Sequence, residues 1–225
     1  MSEPSGAHPR QALSGRDGFT VLHSDQWMLV LDKDSGLLSV PGIGPEKADC
    51  LAARVQGRHP GARIVHRLDR DTSGVIVMAM DAESHRHLSV QFQERGVEKV
   101  YEAMVAGGPA EDAGCVDLPI GKDFQSPPRQ RVDHVHGGPS RTRWRVLQRL
   151  EDPVRTRMEL IPLTGRSHQL RVHLLQLGLP ILGDDLYATP EVRGWAPRLL
   201  LHARRLTLRH PARGETMTFE APVPF

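Results

Sequence analysis

The chain is poor in cysteine, in aromatic side chains and in long apolar runs, and each shortage excludes something. Cys50 and Cys115 are the only cysteines among 225 residues. Two cysteines with no CxxC pair build neither a disulfide framework nor a zinc ribbon, so a reduced, cytoplasmic protein is expected. Aromatic residues make up 4% of the chain, which leaves no cluster of the kind that grips sugar rings. No apolar run is long enough to span a bilayer. The opening MSEPSGAHPRQALSGRDG has neither the apolar core nor the cleavage pattern of a signal peptide. Phosphate-loop, dinucleotide, HExxH and EF-hand signatures are missing, and so is the GxSxG of serine hydrolases.

What is present has ordinary composition and an uneven charge layout. Hydrophobic residues are 39% and charged residues 25%, as in a typical folded domain. The length suits one large domain or two small ones. The formal net charge is only +2, yet residues 1–128 carry 13 basic and 18 acidic side chains, −5, and residues 129–171 carry 10 and 4, +6. Of the 29 basic residues, 25 are Arg, whose planar fork matches phosphate and stacks on bases. Such a block reads either as a surface for a polyanion, nucleic acid first, or as a solvated face in an Arg-biased chain.

Residues 1–18 lack periodicity and read as a flexible tail, with one domain over 19–225. FTVLHSDQWMLVLDK alternates around Ser24-Asp25-Gln26 and predicts two short strands. Glu46 to Gln56 has apolar residues at helical spacing, with Gly57 just past its end. VIVMAM predicts a buried strand by its continuous apolar run. Ala82 to Glu94 predicts a helix closed by Gly96, and VEKVYEAMVAG a strand. Residues 107–140, rich in Gly, Pro and Asp, predict irregular structure with short strands. RTRWRVLQRL and RTRMELIPL predict two strands. SHQLRVHLLQLG predicts a helix capped by Ser167, with Leu170, Leu174 and Leu177 on its buried face and Gly178 at its end. RLLLHARRLTLRHP and TMTFEAP predict a terminal strand pair. Helices and strands mix without a βαβ rhythm, which argues for α+β with a largely antiparallel sheet.

Three segments are chemically rich. His66-Arg67-Leu68-Asp69-Arg70-Asp71-Thr72-Ser73-Gly74 puts two carboxylates among guanidinium groups in a loop before a buried strand. A carboxylate held there can act as nucleophile or base; the same residues also suit an ion-paired structural turn. Leu163-Thr164-Gly165-Arg166-Ser167-His168-Gln169-Leu170-Arg171-Val172-His173 enters a helix through a Gly turn. Its polar side chains can meet an anion at the helix start, or form a solvated helix face, the better reading for His173. Lys99-Val100-Tyr101 lies on a strand, with Lys99 and Tyr101 on one face. Tyr101 can stack on a base or pass a proton, or simply fill a half-buried place in a sheet.

Together these segments resemble the RNA pseudouridine synthases typified by the ribosomal large-subunit enzyme A. HRLDRDTSG, KVY and LTGRSHQLRVHL stand in that family's order. DKDSGLLSVPG, VDLPIG, PILGDDLYATPE, APRLLLHARRLTL and MTFEAP extend the resemblance over residues 20–225. The resemblance implies a single catalytic domain, a mixed and mainly antiparallel sheet with flanking helices, and a central basic cleft. It implies an isomerase of RNA that uses no metal and no organic cofactor and does not engage a membrane. It implies that Asp69 is the catalytic aspartate. Tyr101 becomes the tyrosine that packs on the target base and takes its C5 proton, and Arg171 the arginine that pairs with the catalytic carboxylate. Arg67 is similar to the arginine that enters the RNA stack where the target base has left it, and Arg166 and His168 are expected to touch substrate. The members it resembles most act on a 23S ribosomal RNA hairpin and on the anticodon arm of some tRNAs; a monomer is expected. Many relatives carry Asn-Lys-Pro-Ser-Gly where this chain has Asp32-Lys33-Asp34-Ser35-Gly36. Many also carry an N-terminal S4 module, for which the tail is too short.

Two other function classes fit parts of the pattern. One is an RNA-binding module of the same fold that has lost catalysis; intact Asp69, Tyr101 and Arg171 argue against it. The other is a nucleoside or glycoside hydrolase using Asp69 and Asp71 as a carboxylate pair. Residues two apart in one loop rarely flank a substrate from both sides.

Overall fold

The computed structural model describes residues 17–225. The expected tail therefore lies outside the described residues except for its last two, and those two are held. The Asp34 amide donates to the Gly18 carbonyl at 2.9 Å, and Asp17 takes Arg58 on its carboxylate and Arg54 on its carbonyl. The anchored part begins two residues earlier than expected.

β1 (Phe19–Ser24) and β2 (Met28–Lys33) form a hairpin. Asp25 shapes its turn by accepting the Trp27 and Met28 amides on one carboxylate oxygen, both at 2.9 Å. A 3-10 turn at Pro45–Lys47 precedes α1 (Leu51–Gln56), so the predicted first helix starts five residues late, with the Cys50 sulfur as its cap. Then come β3 (Arg63–Ile64), β4 (Ser73–Ala79), α2 (Ala82–Gln93) and β5 (Glu98–Ala106). Arg95, not Gly96, takes the left-handed conformation after α2, at φ 61°. The predicted irregular stretch holds β6 (Ala113–Asp117), β7 (Ile120–Lys122) and β8 (Gln130–Val132). β9 (Arg141–Leu150), β10 (Arg155–Pro162), α3 (Gln169–Gln176), α4 (Pro190–Gly194), β11 (Leu201–Arg209) and β12 (Thr216–Glu220) complete the order.

Ten strands make one sheet, ordered β1-β2-β4-β11-β5-β10-β9-β6, with β3 on β4 and β12 on β11; β7 and β8 form a separate hairpin. Every pairing in the sheet is antiparallel except β4 with β11. This is the mixed, mainly antiparallel α+β sheet expected.

The run Val75-Ile76-Val77-Met78-Ala79 is apolar throughout because β4 is covered on both faces. Val75, Val77 and Ala79 pack with Leu88 of α2, and Ile76 and Met78 pack with Leu51 and Val55 of α1. On that second face, further along the sheet, Ala103, Met158, Leu160 and Trp144 pack against Leu170 and Leu174 of α3. Leu177, expected on the same helix face, is 40% exposed because it falls beyond the last turn. Tyr101 packs against both the α1 and the α3 cluster, so a cleft opens between these two layers with Tyr101 at its floor.

The join of β4 to β11 dictates one residue. Gly74 has φ 114°, and a Cβ there would lie 2.6 Å from the Ala203 amide nitrogen. Gly74→Ala is expected to cost about 3 kcal/mol or more. Calorimetry should read this as a fall in Tm of roughly 10 °C.

Beside it, His202 is 1% exposed and bonds Ser73 Oγ at 2.9 Å. Burial, with Arg198 nearby, pushes its pKa down from 6.5 to about 4. The unfolded chain then holds the extra proton between these values, so stability is complete above pH 6.5 and falls as the pH drops towards 4. The expected loss is about 3 kcal/mol. Denaturant titrations at pH 7 and 4.5 should differ less in His202→Gln than in the parent.

Candidate active site

Asp69 sits in the loop before β4, and that loop is clamped through its backbone. Ser39 Oγ donates to the Leu68 carbonyl at 2.7 Å and accepts the Leu68 amide at 3.1 Å. The Gly36 amide and Lys33 Nζ both donate to the Arg70 carbonyl, and Ser35 Oγ donates to that of Asp71. Lys33, Ser35, Gly36 and Ser39 thus grip Leu68, Arg70 and Asp71 around Asp69, and the first three are the positions within 32–36 that keep the family's residue types. Lys33 is completely buried and also donates to the Asp34 and Leu37 carbonyls. Burial lowers its pKa to about 8 against the pull of Asp71, Asp69 and Asp34. Arg70 forks onto Asp71, so Asp71, although it lines the same cleft, is ion-paired rather than free to act as a second acid.

The Gly165 segment enters α3 by a route that differs from a serine cap. His168 is the cap residue, at φ 55°, and no side chain caps the helix; Ser167 is exposed. Gln169 does the tying instead. Its Oε1 accepts from Thr164 Oγ1 and the Arg166 amide, and its Nε2 donates to the Arg141 carbonyl and Thr142 Oγ1. His173 is not on a solvated face as expected: it is buried and bonds Thr142 Oγ1 and the Leu118 carbonyl, tying α3 to β9 and to the segment before β7.

Arg171, 3% exposed on α3, reaches three carboxylates. It forks onto buried Asp184 at 2.8 and 2.6 Å, touches Asp185 at 3.3 Å, and places Nη1 3.6 Å from Asp69 Oδ2. The expected pairing with Asp69 is therefore the longest of the three contacts. Burial works against the Arg171 charge, and Asp184 followed by Asp69 outweighs it. His168 Nε2 lies 4.0 Å from Asp69 Oδ1, so each carboxylate oxygen has a nitrogen facing it. Burial first, and the charge of Asp69 second, push the Tyr101 phenol up, which keeps it neutral.

Asp69, Tyr101, Arg171, Arg67, Arg166 and His168 all line one cleft. Arg67 and Arg166 are exposed in it; the Arg166 guanidinium lies against Gly138. His66 points away. It stacks on Phe92 at 4.4 Å and accepts the Val77 amide, and burial, with Lys99, lowers its pKa to about 3. The cleft is basic, with ten Lys and Arg against seven Asp and Glu on its walls, +3.

The source of that charge was not the expected one. Only Arg143, Arg166 and Arg171 of the ten basic residues in 129–171 line the cleft. The arginines of β9 run from Arg141 to Arg149, which spreads them over about 27 Å. Arg145 bonds Glu159, Arg157 bonds Glu102, and Arg149 bonds Asp112 at the far end. Lys47, Arg54, Arg67, Arg70, Arg95 and Lys99, from the acidic part of the chain, supply most of the rest. Asp184, Lys33 and Tyr187 escaped sequence reading. The adjacent acids of Leu182-Gly183-Asp184-Asp185 were a usable signal for Asp184. Among the described residues no cluster of His, Cys, Asp and Glu is arranged to hold a metal, and no helix is long and apolar enough to cross a membrane.

The family model described as RNA pseudouridylate synthase matches residues 27–176. The chain is 50% identical over 205 residues to the dual-specificity RNA pseudouridine synthase RluA of Escherichia coli K12, covering 91% of this chain and 93% of that one. It is 46% identical to the RluA of Haemophilus influenzae at the same coverages. The structure is similar to human RNA pseudouridylate synthase domain containing 1, with TM-score 0.78 and 28% identity over 94% of this chain and 86% of that one. Human RNA pseudouridylate synthase domain containing 4 follows at TM-score 0.70, 28% identity, and 91% and 88% coverage. A loop carboxylate at the floor of a basic cleft, the fold and these similarities agree: the chain belongs to the RNA pseudouridylate synthase family and is an isomerase of RNA.

Proposed function

We propose that the chain converts uridines in a 23S ribosomal RNA hairpin and in the anticodon arm of tRNA, as a cytoplasmic monomer without metal or cofactor. The observation that carries the site assignment is Asp69. It is a clamped carboxylate at the cleft floor, with Arg171 3.6 Å from one oxygen and His168 4.0 Å from the other. Pseudouridine forms when the N1–C1′ bond breaks, the uracil turns, and C5 bonds to C1′ with loss of the C5 proton. Asp69 is the group that attacks C1′, or that assists loss of uracil and takes a sugar proton; both routes begin with an anionic carboxylate beside C1′. Tyr101 stacks on the extruded uracil, at about 1–3 kcal/mol. The C5 proton leaves through its phenol oxygen as the phenol proton passes to the freed carboxylate.

Extruding the target costs a few kcal/mol. Arg67, exposed in the cleft two residues before Asp69, fills the gap left in the RNA stack, and Arg166 and His168 contact the RNA beside it. Arg67→Ala should therefore slow turnover more on a structured hairpin than on an unstructured oligonucleotide. Equal losses on both, with the salt slope reduced by about one unit, make Arg67 a plain phosphate contact instead. The substrate assignment is tested with unmodified 23S ribosomal RNA and tRNA transcripts, mapping the modified positions in each. Modification in both supports dual specificity, and modification in one alone overturns it.

A further inference from the structure

His168 lies at the end of a directed chain of hydrogen bonds that starts on the β7–β8 hairpin. The Gln130 amide donates to the Tyr187 hydroxyl oxygen at 2.7 Å. That oxygen lies 2.7 Å from His168 Nδ1. The phenol has one proton, and burial raises its pKa, so the proton stays on. With the oxygen already accepting from Gln130, the phenol proton points to His168 Nδ1. Burial, with Arg171 nearby, lowers the His168 pKa below 6.5 despite Asp69, Asp184 and Asp185, so the ring is neutral and its single proton sits on Nε2. That nitrogen faces Asp69 Oδ1 at 4.0 Å. The other tautomer would aim a lone pair at a carboxylate. The left-handed backbone of His168 is uncommon for a residue with a side chain, and it turns the ring towards Asp69.

We propose that His168, beyond touching substrate, is a positioning residue for Asp69: its Nε2–H, fixed by the relay from the Gln130 amide through the Tyr187 hydroxyl, holds one carboxylate oxygen while Arg171 holds the other. The 4.0 Å contact closes to a hydrogen bond when substrate fills the cleft, as catalytic contacts commonly tighten on binding. The reacting oxygen is then presented in one orientation rather than by free rotation of the carboxylate. This rests on the reading of Asp69 as the reacting group.

The test uses the full chain labelled with 15N-histidine, with the His168 resonance assigned by its loss in His168→Gln. The expected spectrum shows a protonated Nε2 and an unprotonated Nδ1, and Tyr187→Phe releases this preference. His168→Leu should lower kcat about tenfold while KM for the RNA stays within about twofold. His168→Gln should recover most of the loss, because its amide N–H reaches the place of Nε2. A proton on Nδ1 in the parent, equal kcat losses in the Leu and Gln variants, or a raised KM at unchanged kcat each overturn the proposal. Turnover that survives Asp69→Asn would instead remove the role of Asp69 and leave the tautomer assignment standing.

Discussion

Asp69→Asn should abolish pseudouridine formation, by a thousandfold or more in kcat as an order of magnitude, while RNA affinity stays within about threefold. The amide keeps the size and shape of the carboxylate but not its charge. Both routes at C1′ need that charge. Asp71, the nearest acid in sequence, is forked to Arg70 and does not substitute. Affinity survives because it comes from the basic walls of the cleft rather than from one carboxylate. The backbone clamp by Lys33, Ser35, Gly36 and Ser39 is untouched by the substitution, so circular dichroism and Tm should match the parent. Turnover of the variant within about tenfold of the parent removes Asp69 from the chemistry.

Asp184→Ala should be the most damaging change away from the cleft. Asp184 is 1% exposed and accepts four hydrogen bonds: two from Arg171, and one each from the Leu186 and Tyr187 amides at 2.9 and 3.0 Å. Its removal leaves a buried guanidinium without its main partner, which costs about 3–5 kcal/mol, or a Tm fall of roughly 10 °C. Arg171, no longer held by Asp184, then closes on Asp185 and Asp69, and the Asp69 carboxylate is pulled from its assigned orientation. The double change Asp184→Leu with Arg171→Met separates the two effects. It removes both buried charges, though it leaves the Leu186 and Tyr187 amides without their acceptor, so it should recover part of the stability and remain inactive. A single variant that melts within about 2 °C of the parent contradicts the account of Asp184 as the partner that makes a buried Arg171 tolerable.

Much of this was legible in the chain because local patterns and burial agreed. The hairpin at 19–33 was readable from alternation around Asp25, whose side chain makes the turn. VIVMA was readable as a strand because a continuous apolar run fits a strand buried on both faces, and β4 has α1 on one side and α2 on the other. The start of α3 was misread. Ser167 has the residue type of a cap, but Gln169 reaches Thr164, Arg141 and Thr142 instead, contacts set by β9 and invisible to local propensity. The grip on Asp69 was hidden because most of its acceptors are backbone carbonyls, which carry no sequence signature. The charge block at 129–171 misled because strand geometry spreads its arginines along β9 and β10, where Glu159, Glu102 and Asp112 take them. The partnership of Arg171 and Asp184 joins residues 13 apart across a loop; the paired acids Asp184-Asp185 mark one end of it, but nothing local says that Arg171 is the partner.

The central claim is that Asp69 drives exchange of a C1′–N1 bond for a C1′–C5 bond. An RNA hairpin carrying tritium at uracil C5 tests it most directly, since each isomerisation replaces the C5 hydrogen and leaves the RNA chain intact. The account predicts tritium release to water in step with pseudouridine in the parent, and none in Asp69→Asn. Free uracil that keeps its tritium, or RNA bound with neither product, would contradict it.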